Sequence, residues 1–403
     1  MKTPSSVEVW LWLLLVMNPH NPKTARLLER YDSAEELCRD IRDGKCSALS
    51  EAEKQRAANT RTREVRQIME ECAANSIRII TLDDPEYPVL LKHIYSPPIV
   101  LFVRGTLDCF GEAVPLAVVG PRKPSETAVS AAKMLCRDLA KIGTVMISGL
   151  AVGIDTIAHS SAVNQGVPTV GVLACGQLVN YPSESEELKR RIVEGGGAVI
   201  SELLPHAGVV STYFRHRNRI ISGLGLGTVL VEASTRSGCL LTANHAIDQG
   251  RDLFCVPPGD ITRESCAGVV GYLRDGAIPV YDYLDIVHSY IPQYFGQSFA
   301  VEPDKKLRRK QAATRKTESA VPPEAPKPQE QAPAEAKKSP VSCEGLSELQ
   351  TKLVRLIEEQ PRTTDEMIDQ TGIPYPEAAE ALTELEIMGV ITLLPEGKYK
   401  ISE

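Results

Sequence analysis

The chain has 403 residues, 43% apolar and 24% charged, with a formal net charge of −7 and a pI near 5.7. This is the make-up of a globular protein of two or three domains. It excludes a globally basic nucleic-acid binder, so any anion site must be a local patch on an acidic body. The ten cysteines form no C-x-x-C pair and have no histidine at zinc-finger spacing. Several sit in apolar runs, the pattern of reduced cysteines in a cytoplasmic protein without a metal site.

The apolar run Val7–Met17 is shorter than the roughly 20 residues a spanning helix needs. Only Lys2 precedes it, and Asn18-Pro19-His20-Asn21-Pro22 follows where a signal peptide would carry small residues. A buried first helix is expected, with no membrane association. Residues 1–75 read as a helical N-terminal domain.

Residues 76–295 alternate short apolar runs with helical segments, the pattern of an α/β, Rossmann-like core with a mostly parallel sheet. Strands are expected at 116–120, 144–149, 168–174, 198–203, 228–233 and 252–257. Nearly continuous apolar strands imply a sheet covered on both faces. Right-handed crossovers place their C-terminal ends along one edge, where ligands of such sheets bind. Residues 296–342, rich in Pro, Ala, Lys and Glu, read as a linker. Residues 343–403 read as a small winged-helix domain: helices in SELQTKLVRLIEE, TTDEMIDQTG and PYPEAAEALTELEIMG, Thr364 as an N-cap, and a hairpin turning at Glu396-Gly397. This last segment holds 13 acidic residues against 5 Lys and Arg, which disfavours phosphate binding there and points to protein contacts or self-regulation.

Candidate binding residues lie at the strand ends. The first strand leads into Gly120, Pro121, Arg122 and Lys123, with Ser125 to cap the next helix and two cations where a helix N-terminus favours an anion. The second leads into Ser148, Gly149 and Gly153, which suit a nest of backbone N–H groups. The segment Phe214-Arg215-His216-Arg217-Asn218-Arg219 is the strongest basic feature. Its guanidinium forks suit phosphate, and Asn218 adds a neutral donor; the structural alternative is that some of these arginines hold Glu202 or Glu232. The loop of Ser237 and Gly238 offers another nest. Tyr213 and Phe214 are candidates for base stacking.

No G-x-G-x-x-G loop with a trailing acidic residue and no P-loop is present, which disfavours a dinucleotide or nucleoside-triphosphate cofactor; no cofactor is expected. Asp155 and His159 share a helix face at i, i+4, but there is no H-E-x-x-H, no G-x-S-x-G and no metal-type carboxylate cluster. A structural Asp–His contact is expected rather than a catalytic site.

The ordered motifs DDPEYPVLLKHIYSPPIVLFVRG, VVGPRKPS, SGLAVGID, YPSE, FRHRNRIISGL, VLVEASTRSGCLLTANHA and VPPG, spread over Thr81 to Ala277, resemble those of the DprA/Smf family. The resemblance implies a helical N-terminal module (SAM-like or helix-hairpin-helix in relatives), a Rossmann-like core and a C-terminal winged helix. It also implies sequence-independent single-stranded DNA binding, a homodimer, and delivery of DNA to the RecA recombinase during natural transformation. Carried over by position, the DNA-binding elements are Gly120 to Arg122, Ser148 and Gly149, Arg217 to Arg219, and Ser237 and Gly238. The chain departs from the family pattern at Pro121, Val152, Val270 and the loop Gly176 to Asn180. The alternative reading is a nucleotide-hydrolysing enzyme of the lysine-decarboxylase-like group. The chain lacks that group's P-G-G-x-G-T-x-x-E, carrying Glu232-Ala233-Ser234-Thr235-Arg236-Ser237-Gly238 at the comparable strand end.

Overall fold

The computed structural model describes residues 6–290 except Glu112, and residues 347–401 in part. The chain divides into two compact units at residues 305 and 306. The expected linker at 296–342, the turn at 396–397 and most of the expected third winged-helix helix lie outside the described residues.

The first unit opens with five helices, α1 (Val7–Met17), α2 (Pro22–Leu28), α3 (Ala34–Arg42), α4 (Glu51–Asn59) and α5 (Thr62–Ala74). Side chains cap several of them: Ser33 receives the Glu36 amide, and Ser50 with Glu53 forms a reciprocal capping box. The apolar run Val7–Met17 is the core of this module, with Leu11, Leu13, Val16 and Met17 buried. Val100 and Phe102 of the neighbouring sheet complete the same cluster. No helix among the described residues is long and apolar enough to cross a membrane.

The nine-stranded sheet has the order β1-β2-β6-β5-β4-β3-β7-β8-β9. Six parallel strands form its centre: β3 (Pro115–Val119), β4 (Val145–Ser148), β5 (Thr169–Val172), β6 (Ala198–Ser201), β7 (Gly227–Leu230) and β8 (Asp252–Cys255). Every expected central strand is there, each ending one to three residues early because its last residues turn into the ligand-edge loops. Three flanking strands were not foreseen. β1 (Arg78–Thr81) and β2 (Val100–Gly105) pair antiparallel, β2 continues antiparallel onto β6, and the short β9 (Ile278–Pro279) closes the far edge. Between β6 and β2, the side-chain amide of the buried Gln177 donates to the carbonyls of Phe102 (2.8 Å) and Val199 (2.7 Å).

A short helix, α6 (Val89–Lys92), lies between β1 and β2. The sheet is covered by α7 (Glu126–Lys141) and α8 (Ile154–Asn164) on one face and by α10 (Ser211–Leu224) and α11 (Leu240–Asp248) on the other, with α9 (Glu186–Glu194) between β5 and β6. All six central strands send their C-terminal ends to one rim.

In the second unit, the described residues include two helices, Glu348–Glu359 and Thr364–Thr371, and an antiparallel pair, Ile391–Leu393 with Tyr399–Ile401. Thr364 is the first helical residue, one step past its expected capping position. Leu353, Val354, Ile357, Met367 and Ile391 form this unit's own core.

Candidate nucleic-acid interface

The loops at the strand ends of the first unit enclose a cleft of about 870 Å³. Of the residues expected to bind, Gly120, Arg122, Arg217, Asn218, Ser237 and Gly238 line it; Lys123, Ser148, Gly149, Gly153 and Arg219 do not.

The β3–α7 loop supplies the first wall. Gly120 is required by close packing, since a Cβ there would lie 2.5 Å from Ile154 Cγ1. Arg122 and Lys123 are exposed, and the Arg122 guanidinium lies 5.5 Å from the Phe214 ring centroid, a cation–π contact that aims it along the cleft. Ser125 accepts from the Ala128 amide at 3.2 Å, capping α7 as expected. Its own amide donates to Glu232 Oε2 at 2.8 Å.

The second expected nest is filled from within. The amides of Gly149 and Ala151 donate to Asp155 Oδ2 at 3.2 and 3.3 Å, and Ser148 Oγ donates to the Val118 carbonyl at 2.6 Å. Ser148 and Gly149 are buried. At these amides a side-chain carboxylate stands where the expected phosphate would sit. Gly153, at φ 89°, lets the chain turn into α8, and a Cβ there would meet the Pro121 carbonyl oxygen at 2.4 Å.

The arginines of helix α10 differ in role because they differ in partner. Arg217 is only 6% exposed. Its Nη1 donates to the carbonyls of Gly149 (2.8 Å) and Val172 (2.5 Å). Burial lowers its pKa to about 10, with Asp155 opposing the shift, so it stays cationic in the cleft floor at neutral pH. A Cβ on Gly149 would lie 2.1 Å from this guanidinium, which explains the glycine. Arg219 turns inward to Glu202, with Nη1 to Oε1 at 2.6 Å and Nη2 to Oε2 at 2.8 Å, and also donates to the Ser96 carbonyl. Of the two readings of the basic run, Arg219 takes the structural one: its fork is held by the buried Glu202. Burial would raise the Glu202 pKa, yet the Arg219 charge and the His20 imidazole hold it down at about 2. Asn218 donates to the Gly238 carbonyl at 3.4 Å, tying α10 to the third loop.

Two further cations stand on this rim beside Arg122. Arg215 and Arg236 are exposed and line the cleft. Arg215 lies two residues from Arg217, so the same basic run carried the signal; what the sequence did not show is which arginines face outward. Phe214 lines the cleft, whereas Tyr213 packs 5.4 Å from the His20 ring.

Asp155 and His159 belong to the interior. Thr169 Oγ1 gives its proton to the Met146 carbonyl at 2.6 Å, so His159 Nδ1 is the donor in the 2.8 Å contact with Thr169. Full burial lowers the His159 pKa to about 3 and keeps the ring neutral. Burial raises that of Asp155, with Arg217 opposing. Among the described residues no group of histidine, cysteine and carboxylate side chains is placed to hold a metal.

A doubly wound sheet with an arginine-rimmed cleft at its strand ends defines a Rossmann-like α/β protein. Residues 78–291 match the family model of the DNA recombination-mediator protein A, and residues 321–397 that of the DprA winged helix domain. The chain belongs to the DprA/Smf family. It is 30% identical over 323 residues to the Protein Smf of Escherichia coli, covering 80% of this chain and 77% of that one. It is 33% identical over 210 residues to the DNA processing protein DprA of Bacillus subtilis, covering 52% and 70%. The X-ray structure of DNA processing protein A from Streptococcus pneumoniae aligns with a TM-score of 0.62 at 28% identity, covering 71% of this chain and 98% of that one.

Proposed function

We propose that this protein binds single-stranded DNA without reading its sequence, acts as a homodimer in the cytoplasm, and passes the strand to the RecA recombinase in DNA uptake and recombination. It works as a binding protein and not as an enzyme. The observation that carries the binding reading is the set of exposed guanidinium groups of Arg122, Arg215 and Arg236 around one cleft of an acidic chain. Three cations on a concave rim create a local positive field that the net charge conceals. Lys123, beside the rim, and Arg217, in its floor, add to it. Phe214 offers a face on which bases of any identity stack.

RecA transfer and dimerisation rest on membership of the family. The strand-binding reading is tested by titrating a labelled single strand at several salt concentrations against wild type, Arg122→Ala and Arg236→Ala. Each lost phosphate contact reduces the slope of log affinity on log salt by about 0.7. Unchanged slopes in both variants would place the phosphates elsewhere.

A further inference from the structure

The loop between α1 and α2 reaches out of the N-terminal module and places His20 on α10. Asn18 and His20 both take positive φ, 64° and 66°, a conformation that non-glycine residues adopt only when their surroundings hold them. The surroundings are specific. The His20 ring stacks on His216, with centroids 4.5 Å apart and planes 9° off parallel, and tilts against Tyr213 at 5.4 Å. Its Nδ1 lies 2.7 Å from Glu202 Oε1, with both side chains buried. Glu202 thus joins two elements at once, His20 of the module and Arg219 of α10.

The contact falls where α10 needs it. This helix starts at Ser211 without a side-chain cap on its N-terminus, so its first amides lack the support that commonly stops fraying. Tyr213 and His216 stand in its first two turns. Between them lie Phe214 and Arg215, the ring and cation that α10 presents to the cleft.

We propose that His20 is a positioning residue through which the N-terminal module orders the first turns of α10 and so sets the strength of the cleft's grip. The link to grip rests on the strand-binding reading; the ordering of α10 does not. Whatever shifts the module moves His20, and α10 loses its external clamp.

Full-length wild type, His20→Ala and His20→Phe are compared by hydrogen exchange and by anisotropy titration with a labelled oligo-dT. His20→Ala speeds exchange over residues 211–216 while leaving the central strands protected. It weakens oligo-dT binding roughly 2- to 12-fold, the equivalent of one aromatic contact, with an unchanged salt slope. His20→Phe, which keeps a ring in the stack, restores most of the protection. Unchanged exchange at 211–216, or a uniform rise across the whole sheet, overturns the positioning role. Faster exchange with unchanged affinity overturns the link to the cleft. If wild type fails to bind oligo-dT, the strand-binding reading falls, and the exchange data still decide what His20 does.

Discussion

Arg219 meets Glu202 face to face, two nitrogens on two oxygens at 2.6 and 2.8 Å, and both side chains are buried. A buried pair of this kind is costly to break from one side, because the remaining charge has no solvent to turn to. Arg219→Ala is expected to destabilise the first unit by about 3–5 kcal/mol while leaving the salt slope of strand binding intact in the folded fraction. Urea unfolding beside a salt titration checks this; a lowered slope with normal stability would return Arg219 to the cleft.

Arg217 separates structure from binding in a second way. Arg217→Ala leaves the Gly149 and Val172 carbonyls unpaired, at roughly 1–3 kcal/mol for each buried acceptor left unsatisfied. Gly149→Ala drives a methyl into the same guanidinium and is expected to cost about 1–3 kcal/mol as overpacking. The two substitutions strike one contact, so the double variant should lose clearly less than the sum of the singles. Additive losses in urea melts would show that the contact is not shared.

His159 predicts a pH dependence. Its folded pKa is about 3 against an ordinary 6.5, so between those values the unfolded chain binds the extra proton. The stability is complete above pH 6.5 and declines as pH falls towards 3, by up to about 1.4 kcal/mol per pH unit for one such group. Burial also lowers the pKa values of the partly exposed His216 and His245, which add in the same direction. Glu202 acts lower, between its ordinary 4.5 and about 2. Urea midpoints at pH 5 and pH 7 should converge in His159→Gln relative to wild type. Equal convergence failure in the variant would remove His159 from the account.

The second unit should contribute little to strand binding. Residues 343–403 carry 13 acidic side chains against 5 basic ones, and affinity for a polyanion follows cation placement. Deleting them is expected to leave both affinity and salt slope as they are. A tenfold loss in the anisotropy titration would assign that module a DNA contact.

The parallel strands were legible because each is an apolar run long enough to bury on both faces, and Pro115–Val119 through Asp252–Cys255 fall where that pattern placed them. The strand Val100–Gly105 is just as apolar, but it lies outside the regular strand–helix alternation, so periodicity did not draw attention to it. The glycines of the site were visible and their purpose was not. Gly149 serves Arg217 and Gly153 serves a turn, and neither fact exists before the chain folds. The basic run was equally plain, yet Arg215 and Arg219, one helical turn apart on the same face, part company because the buried Glu202 takes the fork of Arg219 and leaves Arg215 exposed. The carboxylates at the strand ends are internal ligands: Asp155 for two amides, Glu232 for another, Glu202 for a guanidinium.

Asp155 and Glu232, by occupying backbone donors at the strand ends, change the manner in which a nucleic-acid strand can be held. Rigid amides grip a phosphate at a fixed point, whereas arginine and lysine side chains follow it as it moves and let go singly. A hold of that kind forms fast, slides, and surrenders its cargo stepwise to a competitor. Such kinetics would suit the proposed role, in which the strand is passed onward and not kept.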